Sequence, residues 1–172
     1  CTHGARRVRD DFDAAMAALQ AGEHAYAIVA PSAAANFDGT LLNLNGWLKS
    51  LGVQAVFDVS FGAELAIKSY VEHITKNGPK CVIAQPCPAI VNYIRLYRPE
   101  LLDYLAPVDS PMAHTVKMVR EFHPEYRDHK ILVVSPCMAK GQEFDLIGID
   151  VWNVTIASIR RHLEEECICL TA

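Results

Sequence analysis

The residues with the clearest chemical potential are two cysteines, each of which follows a short apolar run and a proline. Cys87 comes after Pro86, at the end of the apolar run 81–85, and Pro88 then opens an amphipathic run. This pattern predicts a strand, a tight turn and a helix whose first position is Pro88. A thiol in such a turn lies at the positive end of the helix, which favours its thiolate form.

A second cysteine occurs fifty residues later in a similar setting. The apolar run 131–135 leads into Pro136 and Cys137. Two interpretations of the pair Cys87 and Cys137 are open. They are structural thiols buried in the core, as free cysteines usually are, or they are functional groups of one site. Their spacing alone does not choose between these interpretations.

The rest of the chain alternates amphipathic helices with short apolar strands. Strands are predicted at 26–30, 53–59, 81–85 and 131–135, with a last short one at 150–154. Near-continuous apolar strands between helices are typical of a parallel sheet covered on both faces. The predicted fold class is therefore α/β, with mostly parallel strands flanked by helices in one or two small lobes. Ligands of such sheets bind beyond the carboxyl ends of the strands, where Ala30-Pro31-Ser32, Cys87 and Cys137 are expected.

Sequence signals also mark the ends of the predicted helices. Ser110 before Pro111 and Thr155 before the last amphipathic run are expected N-caps. The segment from Lys140 to Glu143 is expected to be a loop. Cys81, at the start of a predicted buried strand, is expected to be a core thiol.

Composition limits the function classes. The chain has 172 residues, is 51% hydrophobic and 21% charged, and carries a net charge of −4, all typical of a globular protein. We expect no nucleic-acid partner and no membrane crossing, because there is no basic stripe and no apolar run of about 20 residues. Six irregularly spaced cysteines without secretory features favour reduced thiols or metal ligation, and a cytoplasmic location. The chain begins with Cys1 rather than methionine, so we expect a longer or processed gene product.

Several motifs carry a resemblance to a known family. Pro86-Cys87-Pro88-Ala89-Ile90 and Pro136-Cys137-Met138-Ala139-Lys140-Gly141-Gln142-Glu143 resemble the first two cysteine motifs of the iron-only (di-iron) hydrogenase large subunit. Ala30-Pro31-Ser32 resembles the family's first cofactor-facing loop. The similarity extends over residues 26–163, and the ordered set of short fragments is specific.

The resemblance implies a cofactor and a set of site residues. Residues 1–172 would be the N-terminal part of an H-cluster domain, in which a 4Fe-4S cubane is joined through a cysteine sulfur to a di-iron unit. Cys87 and Cys137 would ligate the cubane, and Lys140, steadied by Glu143, would lie beside the di-iron unit. The same cavity would be lined by Ala30, Pro31 and Ser32. Outside the family, Lys140 and Glu143 would be an ordinary exposed pair that contributes little to stability.

The chain also departs from the catalytic members of the family. Pro86 stands where they have the proton-relay cysteine, and their relay glutamate aligns with Ser69. The third cysteine motif, which supplies the remaining cubane ligand and the bridging sulfur, is missing, and Cys167 and Cys169 have the wrong spacing to replace it. We therefore assign no catalytic residue. The isolated chain is expected to be inactive and to hold no metal or a substoichiometric amount.

These departures favour a sensory member of the family. The expected function is an iron–sulfur binding domain that senses redox state or hydrogen in an anaerobe and transfers electrons to other iron–sulfur or signalling domains of the same polypeptide. One alternative is the catalytic domain of a hydrogenase, truncated here and using another proton path. Another is a cluster-free remnant of the fold. Cys1 resembles the tail of an upstream ferredoxin-type motif, and Cys167 and Cys169 are expected to be structural or interfacial.

Overall fold

A four-stranded parallel sheet forms the centre of the molecule. The computed structural model describes residues 10–37, 41–84 and 87–170. The strands are β1 (Ala25–Val29), β2 (Val53–Asp58), β3 (Lys130–Ser135) and β4 (Val151–Thr155), in the order β2-β1-β3-β4. Every pairing is parallel. The predicted α/β class is confirmed, and four of the five predicted strands are present within one or two residues of their expected bounds.

Helices connect and cover these strands. They are α1 (Phe12–Gln20), α2 (Ala33–Asn36), α3 (Leu41–Ser50), α4 (Ser60–Asn77), α5 (Pro88–Tyr97), α6 (Pro111–Phe122), α7 (Lys140–Leu146) and α8 (Ile156–Glu165), with 3-10 turns at Pro99–Tyr104 and Pro124–Tyr126. The two predicted N-caps are confirmed. Ser110 Oγ accepts a hydrogen bond from the Ala113 amide, and Thr155 Oγ1 accepts one from the Ser158 amide, each at 3.2 Å. The predicted loop from Lys140 to Glu143 is wrong, because these residues form the first turn of α7.

The central strands are buried on both faces. Alternate residues of β1 belong to two separate cores. Ala27 packs in a cluster with side chains of α1, α3 and α8, whereas Ile28 packs in a cluster with side chains of α6. This two-sided burial explains the near-continuous apolar strands of the sequence. It also leaves the carboxyl edge of the sheet as the place where functional side chains can be presented.

The predicted strand at 81–85 is wrong for the residues that the structure describes. Residues 81–84 lie outside the sheet, and Ile83 makes one isolated parallel bridge with Leu105. The Ile83 amide donates to the Tyr104 carbonyl at 2.7 Å, and the Ala106 amide donates to the Ile83 carbonyl at 3.0 Å. Residues 85 and 86 lie outside the described part. Because β1 already pairs with β2 and β3, no central position is left for this segment, and Cys81 is exposed rather than a core thiol.

Helix α4 is docked on α6 through its small residues. Gly62 and Ala66 are buried. A Cβ atom added to Gly62 would overlap the Pro111 carbonyl oxygen and the Thr115 hydroxyl, so only glycine permits this close approach. The 18 residues of α4 do not make it a membrane span: among the described residues, no helix is both long and apolar enough to cross a membrane.

Large apolar side chains remain exposed on the outer faces of α4 and α5. Ile67 is 62% exposed, Val71 57% and Leu96 73%. Within the described part of the chain, no residue from 60 to 111 belongs to the buried set of either core. This part of the molecule therefore contains amphipathic helices without a second layer of described residues to cover them.

Candidate metal centre

Cys87 occupies the N-cap position of α5. Its backbone is extended (φ −112°, ψ 108°), Pro88 begins the helix, and the thiol makes no capping hydrogen bond. The Cys87 carbonyl instead accepts hydrogen bonds from the Ile90 and Val91 amides at 3.1 and 3.2 Å. The predicted helix that begins at Pro88 is thus confirmed, whereas residues 85 and 86 of the predicted turn lie outside the described part. The half-buried thiol is left available as a ligand.

Cys137 lies in the turn between β3 and α7. Its amide donates to Ser135 Oγ at 3.1 Å, and the same hydroxyl donates to the Cys137 carbonyl at 3.2 Å. Asn153 of β4 reaches the same turn, because its Nδ2 donates to the carbonyls of Cys137 and Met138, both at 3.3 Å. Sequence reasoning missed Asn153. The signal that could have identified it is an amide side chain inside the apolar run of β4.

Lys140 and Glu143 form a partly buried ion pair. The Lys140 Nζ and the Glu143 Oε2 are 2.6 Å apart, and the two side chains are 10% and 17% exposed. The interpretation of these residues as an ordinary exposed pair is therefore wrong. Their spacing of three residues on α7 brings both side chains to the same face of the helix.

Helices α5 and α7 meet around a cavity of about 150 Å³. Asn92 Nδ2 of α5 donates to Gln142 Oε1 of α7 at 3.2 Å. The cavity is lined by Pro88, Val91, Asn92, Val108, Asp109, Ser110, Glu143, Leu146 and Ile147. It includes the residue after Cys87 and the partner of Lys140, but neither cysteine itself. The structure thus brings the two cysteine-bearing segments to one region, and a shared cavity for their sulfurs stays a prediction.

The loop after β1 lies at a different cavity. Ala30 is buried and its amide donates to the Val134 carbonyl at 2.9 Å, whereas Pro31 and Ser32 are exposed. Ala30 and Pro31 line a space of about 90 Å³ whose other walls are residues of β1, β2 and α3. That Ala30, Pro31 and Ser32 line a common cavity with Cys87 and Cys137 stays a prediction, because neither cysteine lines either of these two spaces.

Ser69, which the resemblance aligns with the relay glutamate of catalytic members, forms a hydrogen bond within its own helix. Its hydroxyl donates to the Leu65 carbonyl at 3.0 Å. It also lies 3.5 Å from Nε2 of His114 on α6. This contact joins α4 and α6 through two polar side chains.

A shifted pKa belongs to the sheet core rather than to the candidate site. Burial raises the pKa of Tyr26 to about 12 from the usual 10.0, and the nearby Arg120 guanidinium lowers it in part. The Tyr26 ring packs edge-on against Phe57 with 5.7 Å between centroids. Its hydroxyl makes no hydrogen bond of acceptable geometry with the described residues. Burial of the hydroxyl is thus the dominant cause of the raised Tyr26 pKa.

A 4Fe-4S cubane is held by four cysteine thiolates. Cys87 and Cys137 are on neighbouring segments, but Cys81, Cys167 and Cys169 are exposed. Among the described residues, no group of three His, Cys, Asp or Glu side chains could hold a metal ion. Cys1 lies outside the described part. Among the described residues, Cys87 and Cys137 are therefore the thiols on contacting segments, and their ligation of a cubane stays a prediction.

Comparison with known proteins identifies consistent relatives. Residues 23–153 match the family model of the iron-only hydrogenase large subunit, C-terminal domain. Iron hydrogenase 1 of Clostridium pasteurianum is 30% identical over 157 residues, covering 80% of this chain and 27% of that protein. The nuclear prelamin A recognition factor of Rattus norvegicus is 31% identical over 117 residues, covering 58% of this chain and 25% of that protein.

Solved structures agree on the fold. A variant of the [FeFe]-hydrogenase HydA1 from Chlamydomonas reinhardtii superposes with a TM-score of 0.78 at 22% identity, covering 94% of this chain and 48% of that chain. A HydA structure described as showing stepwise H-cluster assembly superposes with a TM-score of 0.75 at 23% identity. The chain thus spans about a quarter of the curated relatives and about half of the solved chains.

Proposed function

Because this chain belongs to the family of the iron-only hydrogenase large subunit, C-terminal domain, we propose that it is the part of an H-cluster domain that supplies two thiolate ligands, Cys87 and Cys137. The contact of α5 with α7 is the observation that carries the proposal, because it brings the two cysteine-bearing segments together. A cubane needs two further thiolates, which come from outside the described residues. Lys140 beside this region would balance the negative charge of a bound di-iron unit.

The finer proposal is that the domain senses redox state or hydrogen rather than turning hydrogen over. Turnover requires groups that give and take protons along a path to the metal. At the position of the family's relay glutamate, Ser69 offers only a hydroxyl that donates to its own helix. A sensor needs only a bound cluster and a contact that passes the signal on. Other iron–sulfur or signalling domains of the same polypeptide would provide that contact.

Metal analysis after anaerobic reconstitution with iron and sulfide tests the ligand assignment. We expect fewer than four irons per chain, and we expect the bound iron to fall sharply in Cys87→Ser and in Cys137→Ser. Cys81→Ser is the matched control, because Cys81 is an exposed thiol only six residues from Cys87. Equal loss of iron in the Cys81 variant would contradict the assignment. Four irons per chain that survive gel filtration would show that other cysteines of this chain are ligands.

The catalytic alternative is favoured by one observation, the contact between Ser69 and His114. A serine and an imidazole in contact could pass a proton where a glutamate does so in other members. Hydrogen evolution from reduced viologen by the reconstituted chain separates the two functions. We expect none. Hydrogen evolution that is lost in His114→Ala would establish the catalytic alternative instead.

A further inference from the structure

Asn153 is a polar side chain at a buried position of the edge strand β4. The residue is 2% exposed and pairs with Val133 of β3. Its Nδ2 donates to the carbonyl oxygens of Cys137 and Met138, both at 3.3 Å. Its Oδ1 is buried and has no hydrogen-bond partner in the described part of the chain. The opposite orientation of the amide would place its oxygen against two carbonyl oxygens, so the donors must face the Cys137 turn.

This arrangement contributes little to overall stability. Both hydrogen bonds are longer than the common N–H···O distance of about 2.9–3.0 Å, which makes them weak. The unpaired Oδ1 carries the desolvation cost of a buried acceptor, and that cost offsets what two such bonds supply. An apolar side chain of similar volume would fill the same space without the unpaired oxygen. The consequence specific to asparagine is therefore local: it holds two successive carbonyls of the Cys137 turn.

Asn153 is itself held firmly by the main chain. On the side away from β3, the backbone N–H of Asn153 donates to Asp11 Oδ2 at 2.9 Å, and the backbone N–H of Asp11 donates to the Asn153 backbone carbonyl at 3.1 Å. The other side of the strand carries the parallel pairing with β3. A side chain on a strand fixed at both edges is a rigid support for the turn that it contacts.

Among the described residues, the side-chain hydrogen bonds to the Cys137 backbone come from Ser135 and Asn153. Ser135 Oγ binds the amide and the carbonyl of Cys137. Met138, which follows, is 49% exposed. Without the Asn153 amide, the peptide between Cys137 and Met138 would be restrained from one side only. The direction of the Cys137 side chain depends on that peptide.

We infer that Asn153 is a positioning residue for Cys137: it holds the turn so that the thiol keeps one orientation. That the turn is held for iron ligation rests on the proposed function. The positioning itself rests only on the hydrogen bonds and the burial of Asn153. Asn153 would touch no substrate or cofactor and would act through the cysteine alone.

The test is alkylation of Cys137 by iodoacetamide in the metal-free protein, followed residue by residue by mass spectrometry. In Asn153→Leu, we expect the Cys137 rate to rise about 5- to 30-fold, which corresponds to the loss of two weak restraints. The Cys87 rate should not change, and thermal stability should stay close to that of the parent. Asn153→Ser is too short to reach the two carbonyls, so it should give the same result and serves if the leucine variant does not fold.

Thr155→Val is the matched control on the same strand. Thr155 Oγ1 donates to Asp10 Oδ2 at 2.5 Å and accepts from the Ser158 amide, and in the described part of the chain its side chain makes no hydrogen bond to Cys137 or Met138. This variant should lower thermal stability without changing the Cys137 rate. An unchanged Cys137 rate in both Asn153 variants, or an equal rise in Thr155→Val, would overturn the inference. Because alkylation is measured without metal, the result stands even if the parent protein binds no iron.

Discussion

The ion pair between Lys140 and Glu143 gives the most demanding test of the structure. The two charged atoms are 2.6 Å apart, and the side chains are 10% and 17% exposed. Hydrogen bonds to charged groups contribute about 1.5–3 kcal/mol, and breaking a fully buried pair costs about 3–5 kcal/mol. The residual exposure places this pair near the lower of these ranges.

The two single variants should not be equivalent. Lys140 is the first residue of α7, where the partial positive charge of the helix end opposes a cation, and Glu143 lies in the first turn, where the same field favours an anion. Lys140→Met leaves a carboxylate that the helix end still stabilises, so we expect a loss of about 1 kcal/mol. Glu143→Gln removes the carboxylate that faces the buried Lys140 ammonium at the unfavourable end of the helix, so we expect a loss of about 2–4 kcal/mol.

Urea unfolding of the parent, both single variants and the double variant measures these values at one pH. The double variant should cost less than the sum of the single ones, with a coupling energy of about 1–2 kcal/mol. A loss of 2 kcal/mol corresponds to a fall in Tm of about 4–8 °C for a chain of this size. The reasoning is refuted if Glu143→Gln costs no more than Lys140→Met, or if the coupling is below about 0.5 kcal/mol, as for a surface pair.

Three further predictions concern the core and the exposed helices. The raised pKa of Tyr26, about 12 in the folded state against 10.0, means that the unfolded chain loses its proton first. The free energy of unfolding is therefore retained below pH 10 and falls between pH 10 and about 12 by up to about 1.4 kcal/mol per pH unit. Tyr26→Phe should remove this part of the alkaline loss, which urea titrations at pH 9 and 11 measure. Gly62→Ala should lower the free energy of unfolding by about 1–3 kcal/mol, because the added methyl group overpacks the contact with α6. Gly46→Ala, in an exposed part of α3 with open space, should raise it by about 0.5–1 kcal/mol. Equal effects in urea unfolding would contradict the packing of α4 on α6. Val71→Ser on the exposed face of α4 should change the free energy of unfolding by less than about 0.5 kcal/mol, and a larger loss would mean that this face is covered in solution.

Local structure was readable from the sequence because its signals act over a few residues. The apolar runs predicted β1, β2, β3 and β4, and short-range hydrogen-bonding chemistry predicted the caps at Ser110 and Thr155. The turn at Cys87 and the helix begun by Pro88 were predicted in the same way. The motif around each cysteine also indicated the family, because residue types in order survive where overall identity has fallen to 30% or less.

What the sequence could not decide is which distant segments become neighbours. The apolar run at 81–84 has the composition of a buried strand, but composition does not show whether a segment joins the sheet. In the structure, Ile83 instead makes one isolated bridge with Leu105. The pattern of α4 likewise shows an apolar face without showing what covers it, and Ile67 and Val71 on this helix are exposed.

The same limit applies to the candidate site. A spacing of three residues allows Lys140 and Glu143 to pair, but only the tertiary packing of α7, which contacts both β4 and α5, buries the pair and makes it costly to break. The contact between Asn153 and the Cys137 turn joins residues 16 positions apart through the β3–β4 pairing. Periodicity and capping report the preferences of a segment for its own conformation, whereas burial and polar contacts between segments depend on the whole sheet order, which exists only once the chain has folded.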